Sequence, residues 1–222
     1  FNTLNAVSSN NITLTTGLSD SLGNLIPSGT TSTVVDAAIA QDAGATLNVT
    51  VTPAVTENHT HLNTLAGDIP GTVTASVTGS ASVLAGLTNL GTSDPVTYTI
   101  SSDATALQLK NLAGNTSLLN GTAAATFSGS YKVSDTLGNV MKSTTTLSDN
   151  LTTGLTVLQN APDVAFSSDV ALSDNDDIKT LNALFALGTI GGVSGTITDT
   201  AGANLLADDA GDATKDQLTP TT

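Results

Sequence analysis

The sequence predicts an α/β repeat protein: a solenoid-like array in which short strands alternate with short helices. Three observations carry that expectation. A motif of the form apolar–hydroxyl–Asp–hydroxyl–apolar–Gly recurs as LSDSLGN at 18–24, VSDTLGN at 133–139 and ITDTAGA at 197–203. Short runs alternating β-branched or aromatic residues with Thr and Ser recur along the chain, the period-2 pattern of half-buried strands. Apolar segments of roughly helical period follow several of these runs and close on Gly. An all-β sandwich or β-solenoid is the alternative, because strands at this spacing with Gly-rich turns also suit that class.

In chain order the expected strands lie within ITLTTGLSD (12–20), TLNVTVTP (46–53), TVTASVTG (72–79), VTYTISSD (96–103), SYKVSD (130–135), DVAFSSD (163–169) and VSGTITD (193–199). Each reaches Asp, Ser, Gly or Pro, where a strand should stop. The expected helices lie within 55–67, 80–91, 103–114 and 175–188. In the second, Val83, Leu84, Leu87 and Leu90 share a face; in the fourth, Ile178, Leu181, Phe185 and Leu187 do. Gly67, Gly91, Gly114 and Gly188 fit the left-handed position after a helix end. LSDN at 147–150 and 172–175 precedes two further apolar segments.

In VSDTLGN the strand ends at Ser134, and Asp135 or Thr136 can cap the first turn of a following helix. The same reading serves Asp20, Asp103 and Asp199. With Asp20, Pro53, Gly79, Asp103, Asp135, Asp169 and Asp199 taken as equivalent, the steps run from about 24 to 34 residues, inside the range of about 20–50 for stacked repeats. The array spans 11–208, divisible into halves at about 11–91 and 92–208, with 1–10 and 209–222 as connecting segments of little apolar periodicity.

Composition narrows the function. The 222 residues include 18 Asp, one Glu (Glu57) and five Lys, with no Arg, Cys or Trp, for a net charge of −14. Nucleic acid and anionic membrane surfaces both call for clustered Lys and Arg, so neither is an expected partner. Only 11% of residues are charged while 39% are hydrophobic, which separates the chain from disordered acidic tails. Without Cys there is no disulfide framework, thiolate zinc site or thiol nucleophile. No stretch is long and apolar enough to span a membrane. The opening Phe1 suggests a processed piece; processed type IV pilins begin with Phe, but FNTLNAVSSNN lacks the long apolar helix that follows there.

The segments YTISSDATAL, YKVSDTLGNV and GTITDTAGANLL resemble the repeats of large secreted surface proteins of bacteria, especially cyanobacteria, written Y-S-I-S-D-T-A-A-N-L. DVALSDNDDIKTLNALFALG is similar to the apolar helix that alternates with such runs. The resemblance covers most of 72–208 and less of the first 70 residues. It implies an extracellular surface-layer, fibre or adhesive role, with no catalytic residues to carry over. Gly138 and Gly202 stand where that family often has Ala, a departure that weakens the helical expectation there.

Few residue groups point to chemistry. Glu57, His59 and His61 in ENHTH alternate, so on a strand they would share a face and could bind zinc, whereas on the expected helix the two histidines point about 200° apart. SDNDD offers Asp174, Asn175, Asp176 and Asp177 to calcium, and LADDAGDATKD offers Asp208, Asp209, Asp212 and Asp216. Neither follows the EF-hand ligand order, and Asp176 and Asp177 read as first-turn acids on a helix. No nucleophile elbow, P-loop or Arg clamp is present, and aromatic sugar platforms reduce to Tyr98 and Tyr131, so the expectation is no enzyme. Six N-x-S/T sequons, at Asn11, Asn48, Asn58, Asn115, Asn120 and Asn150, are about what this Asn, Ser and Thr content yields by chance.

The expected function is structural: an extracellular protein that self-assembles as a homopolymer or lattice in a surface layer, sheath or filament, with calcium as its one candidate ion. The alternative is an adhesin or phage-fibre-like module that binds glycans or a cell surface. Scarce exposed aromatics and absent Arg weigh against that alternative.

Overall fold

The computed structural model describes residues 17–41, 47–91, 93–115, 126–128, 131–143, 146–155, 163–167, 170–172, 175–186 and 191–199. The fold is mixed α/β, with parallel sheets alternating with short helices. The described residues divide into two compact units. One holds those up to Gly79, Val83–Ile100 and Asn115–Ser128; the other holds Ser80–Ser82, Ser101–Gly114 and those from Gly129 on.

In the first unit, β1 (Leu18–Asp20), β2 (Val49–Val51), β3 (Val73–Gly79), β4 (Val96–Ile100) and β5 (Thr126–Ser128) form a sheet whose spatial order is the chain order, every pair parallel. Parallel neighbours need a crossover. Here the crossovers carry α1 (Leu22–Leu25) and α2 (Thr33–Gln41), then α3 (His59–Asp68), then α4 (Ala81–Ala85). The alternating runs set which face is buried. On β3, Val73, Ala75 and Val77 point inward and Thr74, Ser76 and Thr78 do not; on β4, Val96, Tyr98 and Ile100 are buried between Thr97 and Thr99. Leu62 and Leu65 of α3, with Leu84, Leu87 and Leu90, complete this core.

The second unit places β9 (Asp163–Phe166) between β6 (Lys132–Asp135) and β11 (Val193–Ser194), again all parallel. A single parallel bridge from Ala104 to Val133 extends this ladder. β10 (Val170–Leu172) pairs in parallel with β12 (Ile197–Asp199). Among the described residues the one antiparallel pair is the hairpin of β7 (Met141–Ser143) with β8 (Thr146–Leu147). The helices are α5 (Ala106–Ala113), α6 (Leu137–Val140), α7 (Asp149–Leu155) and α8 (Asn175–Phe185). Leu109 and Leu112 of α5 and Leu151 of α7 are fully buried, as are Val133 and Val164 on the strands and Leu181 and Leu184 of α8.

The helices between the strands overturn the all-β alternative, sandwich or β-solenoid, and parallel pairing separately removes the sandwich, which is built from antiparallel sheets. Strands occur inside all seven expected runs, although 193–199 holds two. Its run breaks at Gly195, whose φ of +145° lies where side chains are rarely tolerated, and a Cβ there would stand 2.9 Å from Phe166 Cβ. The helix expected over 80–91 is only α4. After it Gly86 and Leu87 donate to Val83 and Leu84, the tighter i→i−3 pattern, and Val83 is 39% exposed rather than on a buried face. The glycine stops are also corrected. Gly67 lies within α3, and Gly114 ends α5 in the right-handed region at φ −77°. Leu187, Gly188, 1–10 and 209–222 lie outside the described residues.

Gly138 sits in α6 and Gly23 in α1, and a Cβ on either would meet nothing within 4 Å. Neither has positive φ. The helices form despite the glycines because their caps hold them. Gly138→Ala should therefore stabilise the fold by about 0.4–1 kcal/mol, read as a higher urea midpoint with an unchanged slope.

Candidate functional site: the carboxylates at the strand ends

The repeated motif builds the same corner twice. At the end of β1, Asp20 Oδ1 accepts from the Ser21 N–H at 2.7 Å and from Asn24 Nδ2 at 2.8 Å, while Ser21 Oγ caps the Asn24 N–H at 3.3 Å. At the end of β6, Asp135 Oδ1 accepts from the Thr136 N–H at 2.9 Å and Asn139 Nδ2 at 2.7 Å, and Thr136 Oγ1 caps the Asn139 N–H at 3.3 Å. The hydroxyl is the N-cap; the Asp ties the Asn four residues on back to the strand end. This resolves the choice between Asp135 and Thr136 as cap in favour of Thr136. In the third copy, the Asp199 backbone ends β12 and 200–203 lie outside the described residues.

The corners differ in burial. Asp20 is exposed, whereas Asp135 is 6% exposed and uses its second oxygen to accept the Ala106 N–H at 3.0 Å. Ala106 opens α5, so the β6 carboxylate sits at the positive end of a helix that begins 29 residues earlier. α5 is capped in addition by its own box, Thr105 with Gln108. The cap there is Thr105, not Asp103 as expected. Asp103 instead accepts the Lys132 N–H at 2.9 Å.

That second use of side-chain oxygens was not foreseen, and it recurs with Asn as well as Asp. Asn48 Oδ1 accepts the Thr72 N–H at 3.0 Å, 24 residues on. Asp94 Oδ1 accepts the Val73 N–H at 2.6 Å, 21 residues back. Asp163 Oδ1 accepts the Gly192 N–H at 2.6 Å, 29 residues on. Each acceptor stands at or just before a strand and fastens the start of the neighbouring one. A signal was available in the sequence: Asn48, Asp94 and Asp163 open or precede the alternating runs.

The Asn24 amide and the Ser21 N–H hold the Asp20 carboxyl below its ordinary range. A folded-state pKa below the unfolded one gives stability that is present above the unfolded value and is lost as pH falls through the folded one. Asp20→Asn should therefore show a flatter loss of melting temperature than the parent as pH is lowered below about 4. Burial, with the Asp94 charge adding to it, pushes the Tyr98 phenol up, and burial does the same to Tyr131. Neither phenol is a proton carrier near neutrality.

The histidines diverge, since Glu57-Asn58 precede α3 and His59 and His61 lie on it. His59 Nε2 donates to the Thr78 carbonyl at 2.9 Å, and His61 lies over Gly29, whose added Cβ would be 3.5 Å from Nε2. Asp176 and Asp177 fall in the first turn of α8, while Asp174, Asp208, Asp209, Asp212 and Asp216 lie outside the described residues. Among the described residues no three His, Asp or Glu side chains gather to hold a metal. No described helix is long and apolar enough to cross a membrane. Of the sequons, Asn115 is buried and its Nδ2 donates to the Ala85 and Leu87 carbonyls at 3.0 and 3.1 Å, closing the end of α4. A glycan there is incompatible with the fold.

No protein-family model, curated protein or solved structure matches this chain.

Proposed function

We propose that the chain is a non-catalytic structural module whose parallel rungs stack as a solenoid-like repeat array and which self-assembles at the cell surface into a layer, sheath or filament. The observation that carries this reading is the use of the acids. Asp20, Asp94, Asp103, Asp135 and Asp163 each accept backbone N–H groups, and the last four do so from residues more than twenty positions away or across a strand pair. Carboxylates so engaged clip one rung to the next. A general acid or base would need its oxygens turned to a shared cleft.

The strand order supports the same reading. A sheet whose spatial order follows the chain grows one strand at a time, and β1 and β5 each have one strand partner among the described residues. An edge of that kind pairs with another copy, and a head-to-tail contact that does not close yields a fibre. The resemblance of YKVSDTLGNV and GTITDTAGANLL to repeats of secreted surface proteins points the same way and to an extracellular location.

The test is negative-stain microscopy and sedimentation of the purified chain over a calcium series. Ordered filaments or sheets are the expected result. A strictly monomeric particle in every condition would remove the proposal. Reproducible binding of that monomer on a glycan array would replace it with an adhesin.

A further inference from the structure

The outward face of the five-stranded sheet presents hydroxyls in register. Ser19, Thr50 and Thr74 are partners across β1, β2 and β3. Ser76 pairs with Thr97, and Thr78 with Thr99, across β3 and β4. Ser19, Ser76 and Thr97 are exposed, and Thr50, Thr74, Thr78 and Thr99 are half-buried, as neighbours on an open sheet face are. Thr97 Oγ1 donates to Ser76 Oγ at 3.0 Å, which ties one rung to the next on this face.

From these rows we infer that this face binds ice. Rungs of a parallel sheet stand about 4.8 Å apart, and like-facing residues along a strand about 6.6 Å apart. The first is close to the oxygen–oxygen repeat in the basal plane of hexagonal ice, and the second is about a tenth shorter than the repeat along its c axis. Threonine suits such a surface because its β-branch restricts χ1, so the methyl and hydroxyl are held in place before contact. Water ordered over this grid takes up a pattern that an ice face can continue.

Charge complementarity selects this occupant over others. The chain carries −14, yet none of the seven described residues of the face is ionisable, and the described lysines, Lys110, Lys132, Lys142 and Lys179, belong to the other unit. A phosphate polymer would need cations, and a protein partner would take aromatic or Arg anchors. A neutral hydroxyl–methyl grid complements a neutral water lattice. The corresponding positions in the second unit are Ser134, Ala165 and Ser194, beside Lys132 paired with Asp163. Thr rows are therefore a property of one sheet, not of composition alone. The inference goes beyond the self-assembly proposed above and does not rest on it.

The experiment uses the full chain. Thermal hysteresis is measured by osmometry, and enrichment in a slowly grown ice hemisphere is measured against an acidic bystander protein. Expected are a hysteresis gap and enrichment, both lost in Thr97→Lys and Thr50→Lys at unchanged circular dichroism. Val34→Lys, at an exposed helical position outside the face, should keep both. Exclusion of the parent chain from ice like the bystander overturns the inference, as does full hysteresis in either folded face variant. A dimer dissociated by Thr97→Lys, without ice enrichment, overturns it too and assigns the face to a second copy.

Discussion

Asp135→Ala should lower the stability of the second unit by about 2–4 kcal/mol, because three donors lose a charged acceptor at a buried position. The donors are the Thr136 N–H and the Asn139 amide on Oδ1, and the Ala106 N–H on Oδ2. Asp135 is 6% exposed, so water does not replace the carboxylate freely. The loss reaches two elements, since the same side chain holds the corner into α6 and the start of α5. Asp135→Asn keeps one acceptor oxygen and should fall between parent and Ala. The matched control is Asp20→Ala, which removes the same corner at an exposed position and should cost far less. Urea unfolding followed by circular dichroism reads all three variants. Equal losses at Asp20 and Asp135 would show that burial and the bond to Ala106 contribute nothing.

Gly154→Ala should destabilise by about 1–3 kcal/mol even though Ala is the better helix former. Gly154 is buried in α7 where that helix packs on α5. A Cβ there would lie 2.6 Å from Leu109 Cβ, 3.1 Å from the Leu109 carbonyl carbon and 3.2 Å from the Lys110 nitrogen. The latter two are backbone atoms, so the helices must separate rather than a side chain rotate. The fully buried Leu109, Leu112 and Leu151 then lose contact. The sign is opposite to that expected at Gly138, although both glycines lie in short helices. Circular dichroism melts of the two variants side by side test this directly. A Gly154→Ala protein as stable as the parent would mean that α5 and α7 do not approach so closely.

Alternation and capping were legible in the sequence because both are local. VTASVT and VTYTI could bury only one face of a strand, and they do so with Val, Ala, Tyr and Ile inward. SDTLGN contains its own cap, and Thr136 serves it within three residues. TALQLKNLAG likewise carries a capping box in its first four residues. The metal reading of ENHTH dissolves for a local reason as well, because α3 starts at His59 and separates the two imidazoles.

What misled was the end of each helix and the identity of the acids' partners. Gly91 resembles a stop, but α4 ends six residues earlier, where Asn115 donates to the carbonyls of Ala85, its last residue, and of Leu87 just beyond it, from 30 and 28 residues away. Asp103 resembles a cap, but its carboxylate is drawn to the Lys132 N–H once the Ala104–Val133 bridge forms. The hairpin of β7 and β8 and the helix α2 carry no copy of the repeated motif.

By itself the sequence determined where chain segments are extended or coiled, which strand face turns inward and which hydroxyls cap. Those follow from period and from contacts within four residues. Only the tertiary structure decided that neighbouring strands run parallel in chain order, that Asp135 reaches Ala106, and that threonines from separate segments line up in rows. Such pairings join residues some twenty to thirty positions apart. Their free energy depends on which rungs come together, and no local pattern encodes that.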